Sequence, residues 1–257
     1  MHVPIGVRPM LLALCLLTAG CTGLVGSDID REPYGVDEPF EPANEIRLDG
    51  VTDDRVTDWQ ALWNGHVERL EETSFVRTLE VTYESNETVL LNTTRRAVIT
   101  VDGKEYAEHT RYVHDPETNE TTTHTVEQWA DDERVEYRTG EEDDEAAASM
   151  ERTSSDPATR FPVEESTLFM AVESISVDRS SDRTRYVLSG SGTVLPYQNT
   201  TFYLVLTDRG AIEYLSLEGE RFLNGDRVEV SIQLQTDRIG EPIDLEAPAW
   251  VDDRDAD

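Results

Sequence analysis

Apolar residues recur along this chain in two periods, and the change from one to the other divides it into elements. Over 53–72, Val56, Trp59, Leu62, Trp63, Val67 and Leu70 return every three or four residues, which predicts a helix with one apolar face. Strand-like alternation follows over 75–83, 89–101, 104–114, 121–129 and 134–139, punctuated by Asp102-Gly103 and Asp115-Pro116 as turns. A charged, poorly periodic stretch over 140–160 separates this set from a short helix predicted over 162–173, where Pro162 suits a first turn and Val163, Leu168, Phe169, Met170 and Val172 supply apolar surface. A second set of strands is predicted over 175–178, 183–189, 201–207, 211–217 and 227–236, with turns at Asp208-Arg209-Gly210 and Asn224-Gly225. In the last strand Val228, Val230, Ile232 and Leu234 alternate strictly with Glu229, Ser231, Gln233 and Gln235, so one face is wet and the other is not.

About ten antiparallel strands with one apolar face cannot stay flat and still bury that face. The predicted fold is therefore mainly β with α (α+β): a curved antiparallel half-barrel sheet with the N-terminal and mid-chain helices covering its concave side. Such a sheet either packs solid or leaves an apolar cavity, and both outcomes fit the pattern. The candidate cavity-lining residues are Trp59, Trp63, Phe169, Val228, Val230, Ile232 and Leu234. For the two tryptophans, core packing and ligand contact are both open readings.

Upstream of the domain, Arg8 and the apolar run from Met10 to Leu17 lead into Thr18-Ala19-Gly20-Cys21. That is the layout of a secretory signal whose cleavage leaves a cysteine first. The run is shorter than the roughly 20 residues a bilayer span needs, so membrane attachment is expected through lipid on Cys21, with two chains needed for stable anchoring. The expected organisation is a signal peptide over 1–20, the lipidated cysteine and a polar, proline-containing tether over 21–50, and one β domain over 51–257. The tether would reach on the order of 30 Å. Cys15 falls in the removed segment, which leaves no thiol for a disulfide or a cysteine-based metal site.

Charge narrows the setting. The chain carries 54 acidic and 22 basic residues for a net charge of −32, and Lys104 is the single lysine. An acidic surface almost without lysine suits molar salt, where the Debye length falls to about 3 Å and self-repulsion is screened; the expected source is an extremely halophilic archaeon. The same field repels phosphate backbones, so nucleic acid is not an expected partner. Four of the seven asparagines stand in N-x-Thr sequons, at Asn86, Asn92, Asn119 and Asn199, as expected of an exported, glycosylated surface. Asn86 and Asn119 lie in predicted turns; Asn92 and Asn199 abut strands.

No catalytic motif reaches comparable strength. His109, His114 and His124 fall on neighbouring predicted strands, but His109 and His114 are five apart and point to opposite faces of a regular strand; no metal site and no cofactor are expected. Gly190-Ser191-Gly192 lacks the spacing of a nucleophile elbow and reads as a flexible strand end. The run Glu141 to Glu145 reads as a solvated loop.

The lipobox, the polar tether, the helix entering a strand (Val67-Glu68-Arg69-Leu70, then Ser74-Phe75-Val76-Arg77), the two meanders and Leu206-Thr207-Asp208-Arg209-Gly210 together resemble haloarchaeal surface lipoproteins of unknown function. Those are similar to lipoprotein-carrier (LolA-like) half-barrels and to mycobacterial lipid-carrying lipoproteins. The resemblance covers roughly Val51 to the C-terminus and implies a hydrophobic cavity for acyl or isoprenoid chains beneath the helices. It does not extend to delivery, because the bacterial carrier shuttles between two membranes whereas this chain is expected to be tethered. The expected function is that of a non-enzymatic protein, lipid-anchored to the outer face of the cytoplasmic membrane, that binds a hydrophobic ligand; the alternative is a structural or protein-interaction module of the cell surface without a ligand.

Overall fold

Among the described residues, one antiparallel sheet of eleven strands carries nearly the whole fold, in the order β6-β5-β4-β3-β2-β1-β11-β10-β9-β8-β7. The strands are β1 (Phe75–Ser85), β2 (Thr88–Ile99), β3 (Glu105–Asp115), β4 (Glu120–Ala130), β5 (Arg134–Thr139), β6 (Ala147–Glu151), β7 (Val172–Arg179), β8 (Thr184–Val194), β9 (Tyr197–Thr207), β10 (Ile212–Leu223) and β11 (Asp226–Asp237). The computed structural model describes residues 48–132, 134–139, 147–151, 161–180, 183–223 and 225–252. Cys21, the signal segment, most of the tether, the Glu141 to Glu145 run and Asn224 lie outside them. The sheet is open and curved, with β6 and β7 at its edges. Each meander is a run of hairpins, and the two join where β1 pairs with β11.

Among the described residues the helices are α1 (Trp59–Glu71), α2 (Glu165–Met170) and the short α3 (Ala249–Asp252), which the sequence pattern did not reveal. The N-terminal helix starts six residues later than position 53. Asp58 ends the preceding loop as an N-cap, its carboxylate accepting from the N–H groups of Gln60 (3.1 Å) and Ala61 (3.0 Å). Residues before it fold back instead: Thr52 N–H donates to the Arg55 carbonyl at 2.9 Å and Val51 bridges Val56. The folded unit also takes in residues ahead of position 51, since Leu48 lies in the core cluster.

Three further expectations need correction. The mid-chain helix is shorter than 162–173, because Ala171 caps it and the chain enters β7 at Val172. The count of about ten strands becomes eleven: β6 pairs with β5 inside the stretch read as aperiodic, where five residues are too few to show alternation. Gly190 and Gly192 do not fray a strand end, since β8 continues to Val194. At Gly190 a Cβ would stand 1.9 Å from the Ala171 carbonyl oxygen, so glycine lets the end of α2 approach the sheet.

Cross-strand register shows what each part of the inner face is made of. One row runs Leu79, Leu234, Leu215, Leu204, Leu188 and Ile175 across β1, β11, β10, β9, β8 and β7. A second contains Val81, Ile232, Leu217 and Phe202. This half packs under the helices: Leu62 of α1 and Leu168 and Phe169 of α2 are buried in one cluster with Leu188, Leu204, Leu215, Leu217, Ile232 and Leu234. Followed the other way, the same rows change character. Leu79 is succeeded by Arg95, His109 and Val126, and Val81 by Thr93, Arg111 and His124. Along these rows the inner face is thus apolar over one meander and largely polar over the other, not uniformly apolar as expected, whereas Phe75, Ala97, Ile99 and Ala107 of the first meander are buried in a second cluster with Leu70 of α1.

Candidate functional site

At the line where the rows change, β1 and β2 present Arg77, Leu79, Arg95, Ala97 and Ile99 on the inner face. Phe161 and Pro162, just ahead of α2, close over them and leave a cavity of about 200 Å³ with a largely apolar wall. The Trp63 ring holds Phe161 edge-on with centroids 5.4 Å apart, and His66 lies 6.5 Å from it. The cavity is smaller than the roughly 300–1,000 Å³ of a site for a whole drug-sized ligand, so it suits part of an apolar chain.

Its polar edge carries two guanidiniums, Arg77 and Arg95, although the chain is strongly acidic. Arg77 is only 6% exposed; its Nε donates to Thr236 Oγ1 at 3.4 Å and its guanidinium lies 5.3 Å over the Phe75 ring. Arg95 forms an ion pair with Glu105, which is 1% exposed. Across the register from Arg95 stands His109, whose pKa is lowered by burial and by the Arg95 and Arg111 charges. Hydrocarbon wall and guanidinium rim together can seat a molecule with an apolar tail and a polar end.

The seven candidate cavity-lining residues sit elsewhere. Phe169, Val228, Val230, Ile232 and Leu234 are buried in the packed cluster, and Trp59 and Trp63 lie partly buried against it. None of the seven lines the 200 Å³ cavity. His109 and His114 take opposite faces, as parity requires: His109 stands across from Arg95 and Val126 on the inner face, and His114, across from Thr121, falls on the other. Asn86 and Asn119 are exposed turn residues with φ of 50° and 56°. Asn92 is half-buried in β2, and Asn199 is exposed with φ of 48°.

Sequence reasoning missed Arg77, Arg95, His66, Phe161 and Pro162. A signal existed for Arg77, which interrupts the apolar alternation of Phe75, Leu79, Val81 and Tyr83 on β1. For Phe161 none did, because its role depends on meeting α1 about a hundred residues earlier.

No family model and no curated protein matches the sequence. Among solved structures, LprF from Mycobacterium bovis superposes at a TM-score of 0.37 with 10% identity, covering 76% of this chain and 99% of its own. A LolA superfamily protein from Nitrosomonas europaea superposes at 0.26 with 8% identity, covering 73% and 94%.

Proposed function

We propose that this chain is a non-enzymatic, lipid-anchored extracytoplasmic protein that holds part of a hydrophobic molecule between β1, β2 and the Phe161-Pro162 segment. The observation that carries this reading is the coincidence of an apolar cavity with the boundary between the covered and polar halves of the inner face. An apolar tail would displace water from Leu79, Ala97, Ile99 and Phe161, contributing roughly 25 cal/mol per Å² buried. Its polar end would lie toward Arg77 and Arg95. The sequence layout around Cys21 supports attachment to the outer face of the membrane through lipid.

Two measurements test it. Full-length protein purified in molar salt and extracted with organic solvent should yield one class of hydrophobic compound by mass spectrometry, and Ala97→Trp, which fills the cavity, should abolish that yield. Protein that extracts empty, or retains the compound equally in Ala97→Trp, would remove the cavity from the reading. Cys21→Ser should release the protein from membranes into the soluble fraction. The solid packing beneath the helices favours a second reading, a cell-surface interaction module without a ligand, for which consistently empty protein is the expected outcome.

A further inference from the structure

A larger cavity, about 410 Å³, opens where the last turn of α1 meets the ends of β8, β9 and β11. Five of its thirteen lining residues are arginines, in a chain where acids outnumber bases by 54 to 22. Four carboxylates share the wall, so the local balance is slightly positive on a molecule of net charge −32. Three of the guanidiniums are engaged. Arg185 grips Glu213 with Nε at 2.6 Å and Nη2 at 3.0 Å, Arg183 stands 3.9 Å from the same carboxylate, and Arg238 pairs with Glu241 at 3.1 Å. Arg69 and Arg209 have no side-chain hydrogen bond or ion pair among the described residues.

The backbone around these two is held in uncommon conformations. Arg238 takes φ of 57°, which costs a residue with a Cβ of order 1 kcal/mol. Gly240 has φ of 81°, and its N–H is fixed on the Ser74 carbonyl at 2.9 Å. A Cβ there would come within 3.3 Å of Arg69 Nη2, so the bare glycine leaves that head group its place. The Asp208-Arg209-Gly210 turn brings Arg209 to the same cavity, with Gly210 at φ of 84°.

We infer that Arg69 and Arg209 form a binding site for a tetrahedral oxyanion, phosphate or sulfate, free or carried as an exposed group on a larger molecule. A guanidinium offers paired N–H donors that fit two oxygens of such a group at once. This matters in molar chloride, where bare charge is screened within about 3 Å and only directional contacts discriminate. This cavity shares no lining residue with the apolar one, although Thr236 of the first bonds Arg77 of the second, and the inference does not depend on what the apolar cavity holds.

Isothermal titration of the full chain in molar potassium chloride with inorganic phosphate and with sulfate tests the free form. Flotation of the Cys21→Ser chain with phosphatidic acid vesicles, against phosphatidylcholine vesicles, tests the headgroup form without a contribution from the anchor. Binding in either arm should weaken about tenfold in Arg69→Gln and in Arg209→Gln, less in Arg209→Lys, and stay unchanged in Arg55→Gln, an exposed arginine outside the cavity. Arg209 lies in an exposed turn, so its variants are expected to fold; far-ultraviolet circular dichroism checks this. Titration with free anions identifies a soluble oxyanion, and binding to phosphatidic acid vesicles alone identifies a headgroup. Absence of binding in both arms, or binding that Arg69→Gln and Arg209→Gln leave intact, overturns the inference.

Discussion

The N–H of Ile212, at the start of β10, donates to Nδ1 of His66 on α1 at 3.0 Å, across 146 residues of sequence. Because Nδ1 accepts, the ring proton resides on Nε2 and the imidazole is neutral. His66 is fully buried, its ring centroid 5.0 Å from that of Trp63, and its pKa is pushed well below the usual 6.5 by burial and then by the Arg77 charge. One side chain thus docks the helix on the sheet and satisfies a buried backbone donor.

Stability should therefore fall on mild acidification. Above about pH 6.5 the histidine is neutral both folded and unfolded. Below that, the unfolded chain takes up a proton that the folded one refuses, so stability declines by up to about 1.4 kcal/mol per pH unit until the folded pKa is reached. Denaturant titrations in molar salt from pH 7.5 to 5 would show this slope. In His66→Phe it should flatten, at a cost of about 1–3 kcal/mol because the Ile212 N–H loses its acceptor. An unchanged slope would deny His66 this role.

Two glycine replacements should move stability in opposite directions. Gly190→Ala places a methyl 1.9 Å from the Ala171 oxygen and 2.7 Å from Phe202 Cζ, so α2 must shift, costing roughly 1–3 kcal/mol. In α1, a methyl at Gly65 meets nothing within 4 Å. Gly65→Ala should stabilise by roughly 0.5–1 kcal/mol through helix propensity. Thermal midpoints of the two variants against the parent provide the comparison.

Glycan occupancy should follow the freedom of each asparagine amide. Asn86 and Asn119 stand exposed in turns. Asn92 donates to Glu80 at 2.8 Å and Thr82 at 2.9 Å from within β2, and Asn199 donates to Glu220 at 2.9 Å. Glycopeptide mapping of protein from its native host is expected to find sugar on Asn86 and Asn119 and none on Asn92. Modified Asn92 beside bare Asn86 would contradict it.

Dilution from molar salt to tens of millimolar should unfold the domain, since the Debye length grows toward 30 Å at about 0.01 M and a net charge of −32 begins to repel itself. Circular dichroism across a potassium chloride series measures this. A spectrum that holds at low salt would remove the halophile assignment.

The half of the sheet that buries hydrocarbon was legible in the sequence, because Val228, Val230, Ile232 and Leu234 alternate without interruption and β11 follows that alternation to Thr236. The other half was not. Arg95 and His109 resemble outward-facing strand residues by type, and only the pairing of β1 with β2 and of β2 with β3 reveals that they share a face with Leu79. His66 was hidden for the converse reason: it occupies the buried stripe between Leu62 and Leu70, yet its polarity sets it apart from an apolar count. The apolar cavity escaped because it arises from contact between β1, β2 and a segment some sixty residues further on. Turn chemistry carried further, since Asn86 and Glu87, with φ of 50° and 64°, make the left-handed pair that a two-residue hairpin loop requires.

Because β1 is flanked by β2 and by β11, the first strand to be synthesised waits for the last as its second neighbour. Val81 meets Ile232 only after all the chain between them has been made. Until then one long edge of the first meander stays open to any passing strand, a hazard that acidic self-repulsion would limit. Completion of β11 and closure of the sheet are thereby the same event, and a product cut short before residue 226 would be left with two unjoined pieces.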